Sequence, residues 1–256
     1  METVDPNEKQ QQRSGVRIGC AGWTLARRFE TLFPGDGSHL ARYARTFTAV
    51  ELNSTFHRSH RPATYSRWVE TVGPDFRFAT KIPKEISHRL KLENAADALD
   101  RYLAEVLSLG AKMGPLLLQL PPSFAYDRAV VAPFIELLRS RFDGDVVYEP
   151  RHPSWFADPV DELLQEHRIA RVAADPARVV EASRPGGWGG LVYYRWHGSP
   201  RIYYSEYAEE RLADLATEIG RHEARGVPVW VIFDNTASGA AAGDAQTLQS
   251  LLSSPA

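Results

Sequence analysis

Eight short apolar runs, separated by segments with helical spacing, constrain this chain more than any other feature of it. They are Val16 to Cys20, Ala49 to Asn53, Phe76 to Ile82, Leu116 to Leu120, Val146 to Glu149, Ile169 to Ala174, Leu191 to Trp196 and Val229 to Phe233. Between them, Leu99, Leu103, Val106 and Leu107 share one helical face, as do Leu212, Leu215 and Ile219. Further helices are expected near 39 to 46, 62 to 71, 129 to 141, 159 to 167 and 245 to 252. Strands alternating with helices make parallel βαβ units, and eight of them close into a ring that leaves no edge. The predicted fold is therefore α/β, a TIM-barrel-like (β/α)8 single domain over 16–252, with a disordered tail at 1–15 and a C-terminal tail at 253–256. An open doubly wound sheet is the competitor. The first strand, however, runs into Gly19-Cys20-Ala21-Gly22-Trp23 and not into a glycine-rich nucleotide loop.

Composition narrows the function classes. With 30 basic and 32 acidic residues, the formal charge of −2 argues against a general polyanion binder, so any nucleic-acid contact needs a local patch. The lone cysteine, Cys20, excludes an internal disulfide framework and clustered-cysteine metal sites. No run approaches the ~18 apolar residues of a membrane span, and the opening METVDPNEKQQQRSG lacks the apolar core of a secretory signal. The expectation is a cytoplasmic protein without a membrane partner. Lysine occurs only at Lys9, Lys81, Lys84, Lys91 and Lys112, against an abundance of arginine. Lys81 and Lys84 stand together after a predicted strand, where a compact, titratable ammonium has a use.

A barrel carries its chemistry at the C-terminal ends of its strands, and polar residues gather there in this sequence. Trp23 follows the first run, and Glu51 and Asn53 close the second. Lys81 and His88 follow the third, Gln119 the fourth, and Glu149, Arg151, His152 and Trp155 the fifth. Arg195 and His197 close the seventh; Asn235 and Thr236 follow the eighth. Along an extended strand Glu149 and Arg151 face one way and His152 the other.

Several of these ordered motifs together resemble the DUF72 or YecE-like family: Ile18-Gly19-Cys20-Ala21-Gly22-Trp23, Val50-Glu51-Leu52-Asn53-Ser54-Thr55-Phe56, and Phe78-Ala79-Thr80-Lys81-Ile82-Pro83 with Ile86-Ser87-His88. Leu118-Gln119-Leu120-Pro121-Pro122-Ser123-Phe124, Glu149-Pro150-Arg151-His152-Pro153-Ser154-Trp155, Tyr194-Arg195-Trp196-His197-Gly198 and Phe233-Asp234-Asn235-Thr236 complete the match, over roughly 16 to 252. The resemblance implies a TIM-barrel-like fold and no settled activity. His57, Pro150 and Asp234 depart from the family pattern, which favours Tyr, Phe and Asn there; Asp234 adds a carboxylate that the typical member lacks.

The residues themselves suggest an enzyme acting on a phosphorylated or phosphodiester-containing substrate, nucleic acid included. In this reading Lys81, Glu149, His152 and His197 supply the catalytic groups. Trp23, Glu51, Asn53, His88, Gln119, Arg151, Trp155, Arg195, Asn235 and Thr236 supply binding contacts. The small residues of 234–244 offer backbone amides to a phosphate, with Asp244 as the alternative cap of the helix behind them. No cofactor is implied and no resident metal site; a divalent ion arriving with the substrate stays open. Trp23, Phe56, Trp155, Trp188, Trp196, Tyr203, Tyr204 and Tyr207 interleave with Arg58, Arg61, Arg89, Arg151, Arg195 and Arg201 as a further candidate surface for bases or sugars, with core packing as the alternative for many of the aromatics. Two other classes stay open: a non-catalytic nucleic-acid binder, and an isomerase or lyase acting on a small sugar.

Overall fold

A computed structural model describes residues 15–253. The predicted tails lie outside the described residues except for Gly15 and Ser253. Ten strands form one sheet: β1 Val16–Ala21, β2 Ala49–Leu52, β3 Arg77–Lys81, β4 Met113–Gln119, β5 Val146–Glu149, β6 Ile169–Arg171, β7 Ala173–Asp175, β8 Gly186–Gly187, β9 Val192–Trp196 and β10 Val229–Phe233. Their order is β7-β9-β10-β1-β2-β3-β4-β5-β6-β8, parallel throughout except for β8 on β6. The sixth predicted run divides at Val172. Its first half pairs with β5 and its second with β9, so the chain itself carries the ring across the gap and the barrel comes nearly closed.

Helices pack around this ring at Pro62–Thr71, Ala96–Val106, Arg128–Arg139, Asp158–Glu166, Glu209–Glu223 and Ala240–Ser253, with a short one at His39–Tyr43. The last begins five residues before its expected start, because Ala240, Ala241 and Ala242 bury themselves in the core. Asp244 is thus inside the helix and does not cap it. No described helix is long and apolar enough to cross a membrane.

Two cores follow from the two-residue strand period. Outward residues such as Ile18, Val50, Phe78, Leu118, Tyr148, Tyr194 and Phe233 meet the helices. Inward residues Ala49, Ala79, Leu117, Val147, Tyr193 and Ile232 fill the lower barrel. Two positions further along the same strands stand Glu51, Lys81, Gln119, Glu149, Arg195 and Asp234, all buried. One change of residue type along an unchanged period converts an apolar floor into a charged upper layer. Alanine at 49 and 79 leaves room for the long side chains that reach in from across the ring.

Candidate functional site

Arg195 is the centre of this layer, fully buried, and its guanidinium binds carboxylates from three other strands. Nε lies 3.0 Å from both oxygens of Glu51, and Nη2 lies 2.6 Å from Glu51 Oε1. Nη1 donates to Glu149 Oε2 at 3.0 Å and Nη2 to Asp234 Oδ2 at 2.8 Å. Tyr193 adds its hydroxyl to Glu51 Oε2 at 2.8 Å. Burial disfavours this cation, and the three carboxylates more than reverse that, holding Arg195 well above its usual range. A guanidinium engaged on every edge cannot also clamp a substrate anion. The sequence-based expectation of Arg195 as a binding contact is therefore corrected: it organises the layer from below.

His197, one inward step above Arg195, bridges two of the same carboxylates. Nδ1 lies 3.1 Å from Asp234 Oδ2 and Nε2 3.2 Å from Glu149 Oε1. Burial and the Arg195 charge oppose protonation, but Glu149 and the paired hydrogen bonds prevail and raise the imidazole above 6.5. Glu149 is pushed up by burial and pulled further down by Arg195, Arg151 and His197, which keep it ionised well below the usual carboxylate range. Asp234 is lowered by the same guanidinium and imidazole against its own burial.

Glu149 Oε1 is also approached by Gln119 Nε2 at 3.0 Å and by Arg151 Nε and Nη2 at 3.1 and 2.9 Å. With the imidazole, four N–H groups converge on one oxygen that offers two lone pairs. The contacts with Arg151 and His197 are consequently easy to exchange for an incoming oxyanion.

Lys81 differs from the other cations. It is buried, its Nζ sits 4.3 Å over the Phe56 ring, and among the described residues that ammonium makes no direct hydrogen bond or salt bridge. The carboxylates it faces already serve Arg195, Arg151 and His197. Burial and then Arg195 depress its ammonium to about 8, against the pull of Glu149, Glu51 and Asp234. His88 stacks edge-on to Phe56 at 5.1 Å and is lowered by burial and by Lys81, Lys84 and Arg151.

Above the layer a cavity of about 60 Å³ is lined by Glu149, Arg151, Phe156, Arg178, His197 and Ile202, among others. It opens to solvent and is roomy enough for ordered water or an oxyanion head.

The other predicted residues divide in two. Asn53 touches the layer, its amide 3.5 Å from Asp234 Oδ1. Trp155 does not: it is fully buried among Phe124, Tyr126 and Tyr148 and donates to Phe124 O at 2.9 Å, which makes it a packing residue. His152 turns the other way and caps a short turn through Ser154 N at 3.2 Å. Trp23 leans edge-on to Trp68. Asn235 is buried, donating to Ser205 O at 2.8 Å and to Asp244 Oδ2 at 2.6 Å, and Thr236 lies in the turn that follows. Four amides of that segment already have carbonyl partners. The amides of Asp234, Ala237, Gly239 and Ala241 donate to Trp196, Tyr203, Thr236 and Asn235 carbonyls. Asp244, buried and pushed up to about 6, belongs to this packing. Sequence reasoning left out Tyr193 and Arg178; the two-residue period up β9 would have found Tyr193.

Among the described residues no group of three or more His, Cys, Asp or Glu is arranged to hold a metal ion.

Comparison with known proteins adds the following. A family model described as a protein of unknown function, DUF72, matches residues 17–256. The UPF0759 protein YecE of Escherichia coli (strain K12) is 34% identical over 152 residues, which cover 57% of this chain and 55% of that protein, little more than half its length. The UPF0759 protein YunF of Bacillus subtilis (strain 168) is 23% identical over 93% of this chain and 94% of its own. A DUF72 family protein of Enterococcus faecalis V583 superposes with a TM-score of 0.79 at 22% identity, covering 94% of this chain and 96% of that one. Another, from Thermotoga maritima MSB8, gives 0.77 at 23%, covering 94% and 100%.

Proposed function

The chain belongs to the DUF72 family, and since that membership brings a barrel but no reaction, we propose from the site that it is an enzyme acting on a phosphorylated or phosphodiester-containing substrate. One observation carries the reading: Lys81, a buried ammonium among carboxylates that already have partners. Burial and the Arg195 charge disfavour this ammonium, the carboxylates around it have closer partners, and an arriving oxyanion gives it the direct partner it lacks. Arg151 closes on the same anion by leaving the crowded Glu149 Oε1.

His197 supplies the acid. Its neighbours favour the protonated ring, and as a water oxygen bonds to phosphorus and the ester P–O bond breaks, the leaving oxygen takes the proton from Nε2 while the water's proton passes to the released phosphate. Glu149 and Asp234, held ionised, are poor bases; they position the imidazole and keep it charged. This acid–base equipment favours a catalyst over a purely binding module.

The test offers purified protein small phosphate monoesters and labelled single-stranded, duplex and abasic oligonucleotides, with Mn²⁺ or with EDTA. Turnover that falls roughly 10²-fold or more in His197→Gln is the expected result, the usual scale of a general acid. Turnover unchanged by His197→Gln, or salt-sensitive binding without turnover, would overturn it.

A further inference from the structure

Of the aromatic residues that the sequence places near the rim, most are structural. Trp155, Trp196 and Tyr207 are buried. The exceptions sit together on the loop after β9, where Ile202, Tyr203 and Tyr204 are 47%, 40% and 44% exposed. Exposed apolar side chains in series on one loop are unusual unless something covers them.

This loop is firmly held. Gly198, at φ +92°, turns the chain out of the barrel immediately after His197, and a Cβ there would lie 2.8 Å from Ser205 O. Tyr203 N donates to His197 O at 2.5 Å, Ala237 N to Tyr203 O at 3.1 Å, Ser238 Oγ to Tyr204 O at 2.6 Å and Arg201 N to Ser205 Oγ at 3.0 Å. Tyr203 is kept at φ +70°, a conformation bulky residues rarely adopt, so its exposure is enforced by the loop.

The position matters as much as the exposure. Ile202 forms part of the cavity wall with Arg151, Arg178 and His197. The Tyr203 ring stands edge-on to His197 at 5.8 Å, and the Arg201 guanidinium lies 3.9 Å over Tyr204. The cavity is open to solvent, and with Ile202 in its wall the loop is a surface over which the rest of a substrate can extend.

We infer that the 198–207 loop recognises a planar ring joined to the phosphate, so that the substrate is of the nucleoside 5′-phosphate class. This rests on the phosphate site proposed above. Aromatic and guanidinium faces stack on any base with little sequence preference, and the cations of the cavity complement the attached phosphate. A sugar phosphate would share the anion contacts and lack the stacking.

Calorimetry on the full chain separates the two. The probes are inorganic phosphate, ribose 5-phosphate and adenosine 5′-monophosphate, titrated into wild type and Tyr204→Ala. The monophosphate is expected to bind at least tenfold more tightly than ribose 5-phosphate, and the substitution to remove most of that advantage while ribose 5-phosphate changes less than twofold. Equal affinity for the two, or an advantage that survives the substitution, would overturn the inference while leaving the phosphate site standing. Absence of binding by all three probes would overturn both.

Discussion

Glu149 Oε1 lies 3.2 Å from His197 Nε2, a contact between the tips of β5 and β9 made across the top of the barrel. It exists because both residues are inward positions on their strands and because Arg195, directly below, holds Glu149 by its other oxygen. These neighbours favour the charged form of the imidazole, and the consequences are measurable.

His197 is expected to titrate above 6.5 in the folded protein, read from its ring protons by NMR. Asp234→Asn and Glu149→Gln each remove a negative charge and should lower that midpoint. A folded pKa raised above the unfolded value means that the imidazolium contributes stability fully below about pH 6.5 and loses it as pH rises through the folded value. A midpoint unmoved by both substitutions would contradict the bridged arrangement.

Arg195→Met should be the most damaging single change in the upper layer. It leaves Glu51, Glu149 and Asp234 buried without their common cation, and breaking such a pairing costs about 3–5 kcal/mol. Arg195→Lys keeps the charge but not the three-edged fork, so its loss should be smaller. Urea unfolding of the two variants checks the order.

Lys81 gives opposite signs for binding and stability. Its ammonium, depressed to about 8 from 10.5, deprotonates in the folded state first. Between those values the unfolded chain binds more protons, so this group's contribution to stability rises with pH. Anion affinity should fall over the same window. Sulfate, whose charge is constant there, is the probe for calorimetry, and an affinity flat from pH 7 to pH 9.5 would separate Lys81 from the anion site.

Trp155→Ala tests the division between packing and site. Emptying a fully buried indole costs about 3–5 kcal/mol. Phosphate affinity in the variant, measured at a temperature where it is still folded, should match wild type.

The strand runs and most helices were legible because inward and outward apolar rows repeat every two residues and helical faces every three or four. The division at Val172 was not, since both halves of that run are apolar and only the ring's closure decides which neighbour each half takes. In the site, the tokens Glu51-Leu52-Asn53, Glu149-Pro150-Arg151 and Arg195-Trp196-His197 marked inward steps correctly by type. What they could not show was saturation. Arg195 and Asn235 look like ligand contacts in sequence, yet partners distant in the chain, Glu51, Asp234 and Ser205, engage them. For Lys81 the sequence shows a lysine at a strand end but not that the carboxylates near it have closer partners in Arg195, Arg151 and His197.

The most direct test of the account is the binding of inorganic phosphate at pH 7, measured by calorimetry on wild type and on Lys81→Met, a substitution that keeps the stem over Phe56 and removes the charge. The account predicts a single saturable site in wild type and an affinity at least tenfold weaker in Lys81→Met. Equal binding by the two proteins, or none by wild type, would contradict it.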